Sequence, residues 1–505
     1  MSLLLCPFVL SAQSWWGAAV GLGHLQPYTD LEAFDLNKQD ANNQLVPLFL
    51  SSEGEYMWAD GVFVFSAKDG QIAPPVPMER VKAGTTLREA YKAAQAKYFP
   101  ANGILPDTLF FSRPQYNTWI ELMYNQNQAD ILKYAHAILD NGFPAGVLMI
   151  DDNWQRYYGN FTFKAERFPD AKAMIDELHA LGFKVMVWIC PFVSADSPEF
   201  RELEAKGFLL KNPNGGTAIL NWWNGYSACY DLTNPEAASY FVSVLREAQK
   251  EYGIDGFKFD AGDNNCYASA PYRAYDRTAT NVDHTTSWAK IGLEFPVNEY
   301  RACWKMGGQP LVQRLGDKDY SWAAVQQLIP QMCVAGMLGY SYACPDMVGG
   351  GQFAAFLDIK DDEFDQALIV RSAQVHALMP MMQFSVAPWR ILSKENLAIV
   401  QHMAQLHADF APYIMRYAHE AARTGEPIVR CMEYQFPHQG LENVKDQFML
   451  GDKYLVAPVV DNRLEREVQL PKGTWRDEQG RKYKGGKTYK IAVPLERLPY
   501  FERIK

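Results

Sequence analysis

Short apolar runs and longer segments with helical spacing divide this chain into three textures. In the first, Val46-Pro47-Leu48-Phe49-Leu50 and Gly61-Val62-Phe63-Val64-Phe65 read as strands between turn residues. Leu87 to Tyr98 has the spacing of an amphipathic helix. From about residue 106, strand-like runs alternate with helix-length periodic segments. Thr108-Leu109-Phe110-Phe111 comes first, then a helix near Gln128 to Asn141 and the run Val147 to Asp151. A helix near Asp170 to Leu181 precedes the run Lys184 to Ile189, and the helix Pro235 to Tyr252 precedes Gly256 to Asp260. Later strands are expected at Leu311 to Leu315, Tyr340 to Ala343 and Met382 to Val386.

Repeated βα units imply a parallel sheet with both faces covered. Roughly 300 residues of them fit a (β/α)₈ barrel with long βα loops. An open, doubly wound sheet would want a Gly-rich phosphate turn after an early strand, and the sequence has none. Beyond about residue 420 the helical periods fade. Gln447 to Leu450, Tyr454 to Val460 and Glu467 to Leu470 read as short strands separated by turns. The expected α/β organisation is a small N-terminal β-rich domain over 14–105, a TIM barrel over 106–420 and a C-terminal antiparallel β-sandwich domain over 421–505.

Composition narrows the classes. Of 505 residues, 48 % are apolar and 21 % charged, which suits a globular protein with a large core. The net charge of −10 comes without a basic run, which argues against nucleic acid as a partner. The eight cysteines form no Cys-x-x-Cys pair and have no His cluster beside them. They read as buried free thiols rather than a zinc site or a disulfide framework. The run Leu3 to Leu10, followed by Ser11-Ala12-Gln13, reads as a signal-peptide remnant over 1–13 that lacks a basic start. Export, to the outside or to a periplasm, is expected. No later apolar stretch reaches the roughly 20 residues of a membrane-spanning helix.

Chemistry concentrates at strand ends. Gly256 to Phe259 is apolar except for Lys258, and it ends on Asp260-Ala261-Gly262-Asp263. A Lys and an Asp at i and i+2 of a strand share one face. Burying that pair costs several kcal/mol (roughly) unless both groups are satisfied or used. At the C-terminal end of a barrel strand, such a face opens into an active site. Asp151 and Asp152 close another run, Asp317 follows Arg314-Leu315-Gly316, and Asp346 follows Cys344-Pro345. With Trp154, Trp188 and Trp322 nearby in sequence, these ends suggest one acidic and aromatic pocket. Glycoside hydrolysis needs such a pocket. One carboxylate stabilises or attacks an oxocarbenium-like centre, and a second carboxyl protonates the leaving oxygen.

Phe257-Lys258-Phe259-Asp260-Ala261-Gly262-Asp263, Arg314 to Trp322 and Pro345-Asp346-Met347-Val348-Gly349-Gly350 resemble glycoside hydrolase family 31. Asn221-Trp222-Trp223-Asn224-Gly225, Met379 to Ser385 and Pro388-Trp389-Arg390 extend the resemblance over about 106 to 500. The likeness is greatest to the branch that holds the myogenesis-regulating glycosidase and bacterial α-galactosidases. It implies Asp260 as nucleophile and Asp317 as general acid/base. It further implies that Arg314 contacts the sugar and that Asp346 lies near the pocket.

Departures from the family's α-glucosidase pattern bear on the sugar. Met149 stands where an Asp that holds glucose is usual, Lys258 where a Trp is usual, and Ser385 where a sugar-binding His is usual. Asp151-Asp152-x-Trp154 and Lys258-x-Asp260 are instead similar to motifs of α-galactosidases in families 27 and 36, where they hold galactose hydroxyls. The expected function is a secreted, retaining, exo-acting α-galactosidase without metal or organic cofactor. Asp151, Asp152, Trp154, Trp188, Trp223, Lys258, Arg314 and Asp346 are the expected substrate-binding residues, with Trp222 as an alternative to Trp223. Asp263 and Asp319 are expected to shape loops. An α-glucosidase, α-xylosidase or α-N-acetylgalactosaminidase on the same barrel remains the rival, as does a non-catalytic sugar-binding protein. A glycoside or oligosaccharide is the expected partner.

Overall fold

A computed structural model describes residues 13–39, 44–73 and 76–505. The signal-peptide expectation falls almost wholly on residues outside this range. At its centre, eight short strands form one parallel sheet. They are β1 (Gln115–Asn117), β2 (Val147–Ile150), β3 (Lys184–Ile189), β4 (Gly256–Phe259), β5 (Asn298–Tyr300), β6 (Gln313–Arg314), β7 (Ala343–Cys344) and β8 (Gln383–Phe384). They neighbour one another in chain order, and β8 pairs with β1. Between β7 and β8, the Val348 amide donates to the Gln383 carbonyl at 2.8 Å. The fold is therefore a TIM barrel.

The helices around it carry the capping signals that their sequences encode. Pro235–Tyr252 begins on Asn234, whose side chain accepts from the Glu236 amide, and stops at Gly253, φ 83°. It buries Ala237, Phe241, Leu245 and Ala248, spaced to face the sheet. Leu87–Tyr98 opens with a reciprocal Thr86–Glu89 capping box. The last barrel helix, Lys394–Thr424, runs through residue 420, where the barrel was expected to end.

One strand expectation is corrected, and two strands are added. Thr108 to Phe111 is not a strand. Asp107 Oδ1 accepts the Leu109 amide, and Leu109–Ser112 winds into one helical turn. The first strand is the polar Gln115–Asn117, which sequence reading passed over. The polar β5, Asn298-Glu299-Tyr300, was also passed over. Both go undetected for one reason: the barrel interior is hydrogen-bonded rather than oily. Gln383 Nε2 donates to Gln115 Oε1 at 2.9 Å and to Glu299 Oε2 at 2.8 Å. Gln44, from the N-terminal region, donates to Gln313 Oε1 at 2.9 Å.

The N-terminal region forms a four-stranded and a three-stranded antiparallel sheet. A six-stranded sheet and the two-stranded pair Glu465–Leu470 with Lys487–Ala492 make the C-terminal domain. They enclose a separate core around Trp475, Leu455 and Phe501. A three-stranded antiparallel excursion leaves the barrel after β3 and includes the hairpin Leu220–Trp222 with Gly225–Cys229. Among the described residues, Cys190, Cys229, Cys303, Cys333, Cys344 and Cys431 are free thiols, and of these all but Cys431 are buried. No described helix is long and apolar enough to cross a membrane.

Candidate active site

Parallel register sets the site. Trp188 on β3 lies beside Lys258 on β4, and Lys258 lies beside Glu299 on β5. The strands end one or two residues later, and their acids emerge together. Asp151, Asp152, Trp188, Trp223, Lys258, Asp260 and Asp317 line one cavity of about 280 Å³. The hollow of about 740 Å³ between helices Pro235–Tyr252 and Asn281–Ile291 lies away from these strand ends.

Asp260 is held on both oxygens. Trp188 Nε1 donates to Oδ2 at 2.8 Å, and the Ala261 amide donates to Oδ1 at 3.0 Å. Arg301 Nε stands 3.6 Å from Oδ1, and Lys258 Nζ stands 3.8 Å from Oδ2. Burial pushes the carboxyl pKa up, but Arg301, Lys258, Arg314 and the Trp188 hydrogen bond outweigh it and hold it well below the ordinary range. Asp260 is therefore an anion at neutral pH. The chain turns sharply beyond it, with Ala261 at φ 56° and Gly262 at φ 75°. A Cβ on Gly262 would lie 2.5 Å from the Trp288 ring, so only glycine fits.

Lys258 is buried and donates to Asp151 Oδ2 at 2.6 Å. Burial lowers its pKa, yet Asp151 and Asp260 raise it further, so it stays charged. Asp152 has a different setting. Tyr158 OH and Asn224 Nδ2 donate to its Oδ2 at 3.0 and 2.9 Å, while its Oδ1 is buried without a described partner. Burial first, then the charge of Asp151, pushes its carboxyl up to about 7.

Asp317 is the more open acid, its side chain 23 % exposed. Arg314 Nη1 donates to Asp317 Oδ1 at 2.7 Å and to Asp346 Oδ1 at 2.6 Å. Asp346 is fully buried and also accepts the Lys318 amide at 2.8 Å. Burial, with the neighbouring Asp317 charge adding to it, pushes Asp346 up to about 6 against the pull of Arg314.

Some expected contacts are placed elsewhere. Arg314 and Asp346 sit behind Asp317 rather than on the cavity wall. Trp154 is buried against Phe163 and donates to the Trp188 carbonyl at 2.7 Å, so it braces β3. Trp322 starts a helix and donates to Asp365 at 3.0 Å, away from the cavity lining. Trp222 is buried in a stack on Phe192, and it is Trp223, 48 % exposed, that lines the cavity. Ser385 is buried and accepts the Ile120 amide at 2.7 Å. Asp263 accepts from Arg301, whereas Asp319 is exposed.

Sequence reasoning missed Arg301, Tyr124, Trp119, Gln352 and Phe353, all of which line the cavity. Arg301 was the most accessible of these to inference, because it ends a barrel strand. That strand was hidden by its polar composition.

A barrel that gathers anionic and cationic side chains at its strand ends, around a cavity the size of one sugar ring, has the architecture of glycoside hydrolases. The model of the Glycosyl hydrolases family 31 TIM-barrel domain matches residues 111–417, and that of the family's C-terminal domain matches residues 425–504. The chain belongs to glycoside hydrolase family 31. It is 32 % identical to the myogenesis-regulating glycosidase of Mus musculus over 425 residues, covering 81 % of this chain and 58 % of that protein. It is 24 % identical to an alpha-xylosidase of Emericella nidulans over 91 % of this chain and 61 % of that one. The chain thus spans about three fifths of the length of these relatives. Its fold matches a Flavobacterium johnsoniae GH31 dextranase complexed with glucose at TM-score 0.82 and 20 % identity, over 98 % of this chain and 65 % of that one.

Proposed function

We propose that the chain is a retaining, exo-acting α-glycosidase whose substrates are terminal α-galactosides. The observation that carries this reading is the shared cavity. Asp260, held ionised, and Asp317, reachable by solvent, line the same space of about 280 Å³. That volume sits at the small end of ligand pockets and suits one sugar ring.

In the first step, an Asp260 carboxylate oxygen bonds to the anomeric carbon as the glycosidic C–O bond breaks. Asp317 gives its proton to the departing oxygen. In the second, Asp317 takes a proton from water, whose oxygen displaces Asp260 and frees the sugar with its configuration retained. Arg314, clamped between Asp317 and Asp346, fixes the acid in place. Lys258, Asp151 and Asp152 supply a donor and acceptors for ring hydroxyls. A sugar whose hydroxyls pair with these three groups is favoured, because the wrong epimer leaves a buried polar group unpaired. The resemblance of these residues to galactose-binding motifs supports the galacto configuration. The apolar run Leu3 to Leu10 supports export, which cell fractionation tests.

A panel of 4-nitrophenyl α-glycosides tests the assignment. The α-galactoside is expected to show the highest kcat/KM. Preference for the gluco, xylo or N-acetylgalactosaminyl substrate would replace galactose by that sugar. Asp260→Asn is expected to abolish turnover while galactose still binds, and undiminished turnover would remove Asp260 as nucleophile. Binding without hydrolysis of any glycoside by the wild type would make this a sugar-binding protein.

A further inference from the structure

The hairpin after β3 reaches over the cavity at its tip, Trp222-Trp223-Asn224-Gly225. On one side, the Trp223 ring lies against Arg301, whose guanidinium carbon is 4.5 Å from the ring centroid. Arg301 in turn faces Asp260. On the other side, the Asn224 amide is fully engaged. Its Nδ2 donates to Asp152 Oδ2 at 2.9 Å and to Tyr158 OH at 2.7 Å. Its Oδ1 accepts from Tyr124 OH at 3.0 Å. Asn224 therefore joins three separate βα loops, those after β1, β2 and β3. No other side-chain type does this with the same atoms. An Asp would lack the two N–H donors and would set a second anion against Asp152.

We infer that Asn224 is a positioning residue that latches the Trp223 hairpin over the cavity and, through the same amide, fixes the Asp152 carboxyl in the cavity wall. The latch deepens the glycosidase reading and rests on it for its catalytic consequence. Its geometric consequence stands without turnover. Asn224 is absent from the cavity lining, so it acts through Asp152 and Trp223 rather than on the substrate. Apolar packing at the tip ends with Trp222, which stacks on Phe192. Trp223 and Tyr226 are largely exposed there, so the polar latch holds what apolar burial does not.

Titration offers a distinguishing signature. The charged and titratable groups facing Asp152 are Asp151 and, through it, Lys258 on the strands. Tyr158 and Lys164 face it from the loop after β2, Tyr124 from the loop after β1, and Cys190 from the end of β3. In Asn224→Asp, two carboxyls meet where an amide met one. At acid pH they share a proton and the latch reforms. At alkaline pH both ionise and it opens.

Hydrogen exchange on the full chain tests the latch without reference to activity. In Asn224→Ala, the amides of 220–229 should exchange faster than in the wild type, with the N- and C-terminal sheets unchanged. In Asn224→Asp, the ratio to wild type should be near one at pH 5 and should rise by pH 8. Turnover of 4-nitrophenyl α-galactoside by Asn224→Ala should show KM raised about tenfold, the worth of one hydrogen-bonding arrangement, with kcat within about threefold. Unchanged exchange over 220–229, uniform loosening of the whole chain, or a pH-independent Asn224→Asp would each overturn the latch. An inactive wild type would overturn the glycosidase reading, while the exchange pattern would still decide the latch.

Discussion

Replacing Lys258 by Met gives the sharpest test of the site's electrostatics. Lys258 is 3 % exposed and is the cation against Asp151, at 2.6 Å, with Asp260 at 3.8 Å. Met keeps much of the volume and removes the charge. Asp260 retains Arg301 and the Trp188 donor, but Asp151 retains only the Asp152 amide among described hydrogen-bond donors. A buried carboxylate stripped of its cation escapes by taking a proton, and that proton sets a ceiling on the cost. Protonating an ordinary carboxyl of pKa about 3.9 costs about 4 kcal/mol at pH 7 but about 1.5 kcal/mol at pH 5, at about 1.36 kcal/mol per unit. The sign follows from linkage. Stability that comes from a carboxylate held ionised is present above the unfolded pKa and is lost as pH falls, so the wild type loses its advantage over the variant in acid. For a barrel of about 300 residues, unfolding entropy is about 0.65 kcal/mol/K. The variant should melt about 6 °C below wild type at pH 7 and about 2 °C below at pH 5. Differential scanning calorimetry of both proteins at both pH values measures the gap. A gap that stays constant or widens toward pH 5 would refute the idea that Lys258 neutralises buried carboxylates.

Gly351→Ala should impair the acid step. A Cβ there would lie 2.8 Å from Asp346 Oδ1 and 3.1 Å from Asp317 Oδ1, so kcat should fall about 10- to 100-fold with KM little changed. Steady-state kinetics decide it, and an unchanged kcat would show that the loop yields. His376 and His407 are buried, and burial pushes their pKa values down to about 3 and 4, with His407 adding to the effect at His376. Both stay neutral in the fold, while the unfolded chain takes up protons below about pH 6.5. Their contribution is complete above that pH and is lost as pH falls toward 4, on the order of 3 kcal/mol each. A His376→Leu/His407→Leu double variant should therefore lose less melting temperature than wild type between pH 7 and pH 4, and parallel curves would exclude this source of acid sensitivity.

Local order determined what the sequence could reveal. Apolar periods and caps marked the helices 128–140, 171–180 and 235–252, because a helix buries one stripe and shows it at every turn. Strands β2, β3 and β4 were legible because they are buried apolar runs, interrupted only by Lys184 and Lys258. Asp260 and Lys258 stood out because charge inside or just beyond an apolar strand is costly and needs a use, whereas Asp317 follows the polar pair Gln313–Arg314 and was marked by the family resemblance. Tertiary structure alone decided the rest. Strands β1 and β5 are polar because the barrel interior satisfies Gln115 and Glu299 with Gln383, a partner 268 and 84 residues away. Arg301 reaches Asp260 only once β5 has paired with β4. The same closure moves Arg314, Asp346 and Trp154 off the cavity wall and into supporting positions. A residue's type along the chain records what it must be paid in contacts to be buried, but only the folded barrel determines which distant residue supplies them.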